Sequence, residues 1–402
     1  MPHIAFFGIP GHGHVNPTLP IVAELLRRGH RVSYYNTASF AEKISSTGAQ
    51  FYAYPATDLT GESLTRLAGN LVDVTVLLLE ASQRLLPFAL DELRREQPDV
   101  VVFDGICLWG MQAAYLLNLP RVSSIATMVL EGVKGVIKPR ELPGMILSAL
   151  PRLPRIRRLR RRLEEQYGQG VFPNKDLFPC VGQKTIVFTS REFQPPTPFI
   201  DDSFYFVGPA IDPETRVSTS FPWNSLRAGP RVYVSLGTIH RNDAFFNTVF
   251  ETFAGYPAQF IVSAGQQTDL AALGDAPDNF LVREAVPQLE LLPKTDLFIT
   301  HGGNNSVHEA LYWGVPLLVV PQQTEQVANG RLVAQQGAGI VVGDRPPYHQ
   351  RISATALRSA VDQLLHDESY RGAAQRLSAS FRATGGYRLA ADVVESLLPP
   401  FA

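Results

Sequence analysis

His301, Gly302 and Gly303 lie between a short apolar run, Leu297 to Thr300, and nine residues of helical periodicity, Asn304 to Tyr312. A tight turn of small residues that opens a helix presents unpaired backbone N–H groups and a positive partial charge, which suits a phosphate. His301, Asn305 and Ser306 add side-chain donors at the same end. Glu309, three residues past Ser306, falls one turn deeper on that face, where a carboxylate suits the adjacent hydroxyls of a ribose. The same residues also fit an ordinary strand-to-helix turn, and HGG by itself does not separate the two readings.

Other polar residues fall in equivalent loops. Pro321 ends the next strand, and Glu325 and Gln326 open the helix after it. Val286, Pro287 and Gln288 occupy the preceding loop, and Thr238 follows Gly237 at the end of the strand VYVSLGT. Near the N-terminus His12 and His14 sit in a glycine-rich loop after the first strand. Asp104 ends the apolar run DVVVF. A loop histidine beside a helix start is ordinarily solvated or capping, and an aspartate after a strand is ordinarily a helix cap.

The elements that would position these residues alternate in type. Residues 3–8 read as a buried strand. Asn16-Pro17 starts a helix with Leu19, Ile21, Val22, Leu25 and Leu26 facing inward, and residues 31–35 form the next strand. This is a Rossmann-like α/β alternation, although the glycines at 8, 11 and 13 do not give a dinucleotide fingerprint. A second alternation begins at Arg231, with strands near 232–238, 259–263, 279–283, 296–300, 317–320 and 339–342. Between 209 and 230 the chain is rich in Pro, Ser, Thr and Asp. The expected organisation is therefore a first domain over 1–211, a linker over 212–229, a second domain over 230–387 and a final helix within 388–402.

Composition excludes several classes. The chain has 402 residues, 45% hydrophobic and 18% charged, with a net charge of −1. That is a globular chain with material for two cores, and its charge argues against a nucleic-acid binder. The N-terminus lacks the cationic segment and apolar core of a signal peptide, and no run reaches membrane-spanning length. Cys107 and Cys180, the two cysteines, form neither a disulfide framework nor a metal-spaced pair. Reduced, buried thiols in a cytoplasmic protein are expected.

Taken together, residues 296–326, Val286-Pro287-Gln288, PGHGHVNPTLPIVAELLRRGHRV, VVVFD at 100–104, FYFVGP at 204–209 and VYVSLGT resemble the family-1 glycosyltransferases, especially the bacterial macrolide and natural-product type. The resemblance covers nearly the whole chain. It implies the GT-B architecture, an α/β fold of two Rossmann-like domains facing across a cleft, with the final helix crossing back to the first domain. It implies an inverting hexose transfer, glucose from UDP-glucose in the leading reading, to a hydroxyl of a hydrophobic small molecule. By the same resemblance His14 is the base and Asp104 orients it. Thr238, His301, Asn305 and Ser306 meet the diphosphate, Gln288 and Glu309 hold the nucleoside, Glu325 and Gln326 hold sugar hydroxyls, and Val286 and Gly303 also line the donor site. His12 has no counterpart and stays a loop residue. With no Asp-x-Asp pair in the chain, no cofactor or divalent metal is expected. Ala285 stands where many family members carry a tryptophan that stacks on the base, which leaves uracil against thymine open, and Asn304 replaces a tryptophan typical of the plant branch. A lipid glycosyltransferase at a membrane surface, a nucleotide-sugar epimerase of similar architecture and a non-catalytic nucleotide-sugar-binding helper remain as alternatives.

From 127 to 183 the resemblance thins. Seven arginines fall between Arg152 and Arg162, around a stripe of Leu153, Ile156, Leu159 and Leu163. This reads as a solvated amphipathic helix, or as a weak membrane-surface or anionic-partner contact. Apolar residues over 71–88 and Trp109 fit either an acceptor pocket or core.

Overall fold

The computed structural model describes residues 1–67, 70–129, 147, 149–174, 176–216, 220–237, 243–265, 268–270, 273–345 and 352–399. The chain divides into two compact units, one of Met1–Thr215 with Thr384–Ala402 and one of Arg216–Ala383.

The first unit is built on seven strands: β1 His3–Phe7, β2 Arg31–Asn36, β3 Gln50–Ala53, β4 Val100–Asp104, β5 Arg121–Ile125, β6 Lys184–Val187 and β7 Phe204–Phe206. They pair in parallel in the order β3-β2-β1-β4-β5-β6-β7. The central strands β1 and β4 are apolar except for His3 at one start and Asp104 at the other's end, and wholly buried, as expected of parallel strands covered on both faces. The order reverses between β1 and β4, where Phe7 pairs with Phe103. Open α/β sheets bind ligands at such a switch point, outside the carboxyl ends of the strands.

The helix expected from Asn16-Pro17 forms as α2 Leu19–Arg27, starting three residues later, and a separate single turn, α1 His12–Val15, precedes it in the glycine-rich loop. Pro17 has no N–H to continue the ladder, and the Thr18 hydroxyl bonds the Val15 carbonyl at 2.8 Å, closing the first turn. Pro20 then sits in the first turn of α2, where its missing donor costs nothing. After α3 Ala41–Ser45 and α4 Gly61–Leu67 comes α5 Leu71–Glu96, capped by the Asn70 side chain on the Val72 N–H. α5 packs against α6 Leu108–Leu116 and α7 Leu153–Tyr167. Val76, Leu79, Leu86 and Leu90 of α5 and Trp109 of α6 are core residues, with the indole edge-on to Tyr54.

α7 is the arginine-rich helix. Leu159 and Leu163 are buried and Ile156 packs behind them, whereas Leu153 is exposed. Arg152 and Arg155 pair with Asp73 and Glu80 of α5, and Arg160 and Arg161 pair with Glu164 and Glu165 one turn on. Cys107 and Cys180 are free and buried, and burial pushes both thiols well up.

The second unit holds β8 Arg231–Ser235, β9 Gln259–Ser263, β10 Phe280–Arg283, β11 Leu297–Thr300, β12 Leu317–Val319 and β13 Gly339–Val341. These pair in parallel in the order β10-β9-β8-β11-β12-β13, with the reversal between β8 and β11. Its helices are α8 Asp243–Phe253, α9 Gln288–Leu291, α10 Asn304–Tyr312, α11 Thr324–Gln335, α12 Ala354–His366 and α13 Glu368–Arg382. The stretch from Arg216 onward belongs to this unit: Phe221 is buried, and Arg227 bonds Gln259 through its N–H and the Asp278 carbonyl through its guanidinium. The final helix, α14 Gly386–Glu395, packs Ala390, Ala391, Val393 and Val394 into the core of the first unit. It is tied to α2 by Arg28, which reaches Asp392 and Glu395, each at 2.6 Å.

Candidate active site

In the first unit the switch point brings together two residues from separate βα turns. Asp104 ends β4, is 4% exposed, and is held from both sides. Its Oδ1 accepts the Ile106 N–H at 2.9 Å, which is the capping role such an aspartate ordinarily has. Its Oδ2 lies 2.8 Å from His14 Nδ1. The carboxylate keeps the ring proton on Nδ1 and leaves Nε2 as the basic nitrogen. His14 sits on the one-turn helix α1 with its side chain 25% exposed and its partner carboxylate covered. This is the geometry of an imidazole base oriented by a carboxylate. His12, on the same turn, is exposed and lies against Phe40, with ring centroids 5.1 Å apart.

In the second unit the equivalent switch point lies at the ends of β8 and β11. The His301 imidazole lies between two glycines. A Cβ on Gly237 would come within 3.1 Å of the ring, and one on Gly303 within 2.5 Å of Nε2. A side chain at Gly303 would collide with the ring, and one at Gly237 would crowd it. Gly302 adopts φ +84°, and a Cβ there would meet Val319 at 2.6 Å, so this turn requires glycine. α10 then starts at Asn304 with Gly303 as its N-cap and no side-chain cap. Asn305 and Ser306 lie half-buried in its first turn. The N–H groups of that turn are those an α-helix does not satisfy internally. Thr238 lies outside the described residues.

Glu309 is 6% exposed, one turn into α10. Gln288, at the start of α9, donates through Nε2 to Glu309 Oε2 at 2.5 Å, and Tyr233 O–H donates to Gln288 Oε1 at 3.3 Å. Arg216 donates through Nη2 to Glu309 Oε1 at 2.6 Å. Val286 is half-buried in the loop before α9, and Ala285 beside it is exposed.

Glu325 is exposed in the first turn of α11. Gln326, read from sequence as a group for sugar hydroxyls, is buried, and its Oε1 accepts the Gln322 N–H at 2.8 Å. One end of that side chain therefore holds its own loop. Three further residues join the site with no sequence signal of their own. Tyr233 looks like any inward strand aromatic, Asn329 lies mid-helix, and Arg216 falls in the stretch read as a linker. A buried carboxylate at 309 in need of a cation is the one clue that could have pointed to Arg216.

Two parallel α/β units, each with polar side chains gathered at its switch point, define a two-domain transferase of the GT-B class. Over 99% of this chain and 98% of its own, the crystal structure of CalG4, the calicheamicin glycosyltransferase, superimposes with a TM-score of 0.82 at 28% identity. Residues 248–395 match the family described as the erythromycin biosynthesis protein CIII-like C-terminal domain. YojK of Bacillus subtilis (strain 168), named an uncharacterized UDP-glucosyltransferase, is 30% identical over 401 residues, covering 98% of this chain and 97% of its own. Demethyllactenocin mycarosyltransferase of Streptomyces fradiae is 31% identical over 416 residues, covering 100% of this chain and 88% of its own. The chain belongs to the family-1 glycosyltransferases of the bacterial macrolide and natural-product type, and it is an enzyme that transfers a sugar from a nucleotide donor. Among the described residues no helix is long and apolar enough to cross a membrane.

Proposed function

We propose that the enzyme moves a hexose, glucose from UDP-glucose, with inversion to a hydroxyl of a hydrophobic small molecule such as a phenol or macrolide. The observation that carries this reading is the 2.8 Å contact between His14 Nδ1 and Asp104 Oδ2 at the switch point of the first unit. His14 Nε2 takes the acceptor proton as the acceptor oxygen attacks the anomeric carbon, and Asp104 stabilises the imidazolium that forms. The bond to the diphosphate oxygen breaks, and the charge left there is met by the start of α10 with His301, Gly303, Asn305, Ser306 and Thr238. Gln288, Glu309 and Val286 hold the nucleoside, and Glu325 with Gln326 the sugar. The glucosyl name of the Bacillus relative supports the donor. The name of the Streptomyces fradiae relative, a mycarosyltransferase, marks the competing sugar class.

An oriented base favours this reading over a non-catalytic helper or an epimerase, neither of which needs to deprotonate an acceptor. A weak membrane-surface contact through residues 152–162 would rest on Arg157, Arg158 and Arg162. These are exposed and, among the described residues, form no ion pair. The test of the main reading is a product-resolved screen of phenolic, macrolide and lipid acceptors against UDP-glucose, with an acceptor-free control and assignment of the anomeric configuration. A β-glucoside of an added acceptor supports it. Conversion of the donor without acceptor would replace it with the epimerase.

A further inference from the structure

The two donors to Glu309 are anchored very differently. Gln288 is held at its far end by the hydroxyl of Tyr233, which is buried and stacked on Phe298 with ring centroids 4.5 Å apart. Arg216 has no such anchor. Its side chain is 23% exposed, and its bond to Glu309 is the one hydrogen bond or ion pair that side chain makes among the described residues. Glu309 is 7% exposed at its side chain with both oxygens engaged. A pair of ribose hydroxyls reaching that carboxylate competes with these two donors for its oxygens. The loosely held, solvent-facing partner is the one that gives way.

We infer that Arg216 is a latch on the pentose subsite: it occupies Glu309 Oε1 in the free enzyme and is displaced by the ribose hydroxyls of the donor. This rests on the reading that Glu309 receives those hydroxyls. Donor binding then exchanges a charged donor on Oε1 for neutral hydroxyls, so the latch weakens nucleotide affinity and does so only for ligands that use Glu309. A nucleotide without those hydroxyls leaves Arg216 in place and does not sense it. Arg216 thereby makes affinity depend on how many pentose hydroxyls a nucleotide carries.

The experiment measures affinities of the full-length enzyme for UDP, thymidine diphosphate and 2′,3′-dideoxyuridine diphosphate by calorimetry, in wild type, Arg216→Ala, Arg216→Lys and Glu309→Gln. A part-exposed ion pair is worth up to about 1 kcal/mol, which is roughly fivefold in affinity. Arg216→Ala is expected to bind UDP roughly fivefold more tightly, to gain no more than that for thymidine diphosphate, and to gain nothing for the dideoxy nucleotide. Arg216→Lys, which keeps the charge but loses the planar fork, should fall between wild type and the alanine variant. Weaker or unchanged UDP binding in Arg216→Ala overturns the latch, as does an equal gain for all three nucleotides. The Glu309→Gln arm separates the two levels. If that variant still prefers UDP over the dideoxy nucleotide by the wild-type margin, the assignment of Glu309 to the ribose fails. If the preference disappears while Arg216→Ala changes nothing, the latch alone fails.

Discussion

Asn329 donates through Nδ2 to the carbonyl of Gly302 at 2.9 Å. Both groups are buried, so the helix that carries Glu325 and Gln326 holds down the glycine turn that opens α10. Replacing Asn329 by Ala leaves that carbonyl without its partner, a loss of about 1–3 kcal/mol. The expected result is a lower unfolding midpoint and weaker UDP binding, with His14-dependent proton transfer unaffected. Calorimetry and thermal unfolding of the variant check both. A variant as stable as wild type with unchanged UDP affinity would show that the turn holds itself.

The second prediction concerns His14 and Asp104. His14→Ala should lower kcat on alcohol acceptors by about 10²–10⁴-fold, the usual range for a positioned base. Nucleotide affinity should stay as it was, since the residues proposed to hold the nucleotide belong to the other unit. Asp104→Asn keeps an oxygen for the Ile106 N–H but no longer stabilises an imidazolium. It should lower kcat with little change in unfolding midpoint, separating the orienting role from the capping role. Near-wild-type turnover by His14→Ala on an alcohol would remove the assignment.

The proposed function places sugar choice at Glu325. A carboxylate that bonds sugar hydroxyls rejects analogues lacking them, because a bond to a charged group is worth roughly 1.5–3 kcal/mol, or about ten- to a hundredfold in kcat/KM. UDP-glucose should outcompete its 4- and 6-deoxy analogues, and Glu325→Ala should narrow the margin. The donors are competed in one pot, wild type against variant. An unchanged margin would leave Glu325 as a first-turn acid that favours its helix and nothing more.

Metal dependence follows from how the leaving group is neutralised. If the proposed helix N-terminus and its side-chain donors meet the diphosphate, turnover should survive chelation. Rates with and without EDTA, followed by magnesium or manganese addition, measure this. Full loss that either metal restores would contradict it.

A pH effect on stability is expected from His308. The ring is buried on α10, stacks on Phe381, and its Nδ1 lies 2.8 Å from the Asn304 carbonyl, which accepts the ring N–H. Burial pushes its pKa down from 6.5 to about 4. Between those values the unfolded chain binds a proton that the folded chain refuses, so this contribution is complete above 6.5 and is lost as pH falls toward 4. The full loss amounts to about 3 kcal/mol. His3, also lowered by burial and by Arg31, acts in the same direction. The unfolding midpoint should decline over that window, and His308→Phe should flatten the decline. Parallel slopes for the two proteins would place the sensitivity elsewhere.

What could be read from the sequence was local. Strands such as VVVFD and LFIT show as apolar runs, and Asn304 to Tyr312 shows as a helix through its period. The turn before α10 shows through glycines that no other residue could replace. Each of these follows from forces acting over a few residues: dihedral preference, periodic burial and capping. The helix expected from Asn16 starts at Leu19 instead, and the helical turn His12–Val15 before it falls where the sequence reads as loop.

The pairings were another matter. His14 and Asp104 are 90 residues apart; the family resemblance pairs them, but no periodicity in either segment does. They meet because β1 and β4 are neighbours at the reversal of strand order, which is decided by how the whole sheet packs. Arg216 reaches Glu309 across 93 residues from a stretch that looks like a spacer, and Gln326 turns to its own loop because burial leaves it the Gln322 N–H to satisfy. Buried charge and buried hydrogen-bonding groups take whichever partners the fold delivers, since leaving them unpaired costs more than most single contacts contribute. The tertiary structure decided those partners; the sequence alone determined which elements would carry them.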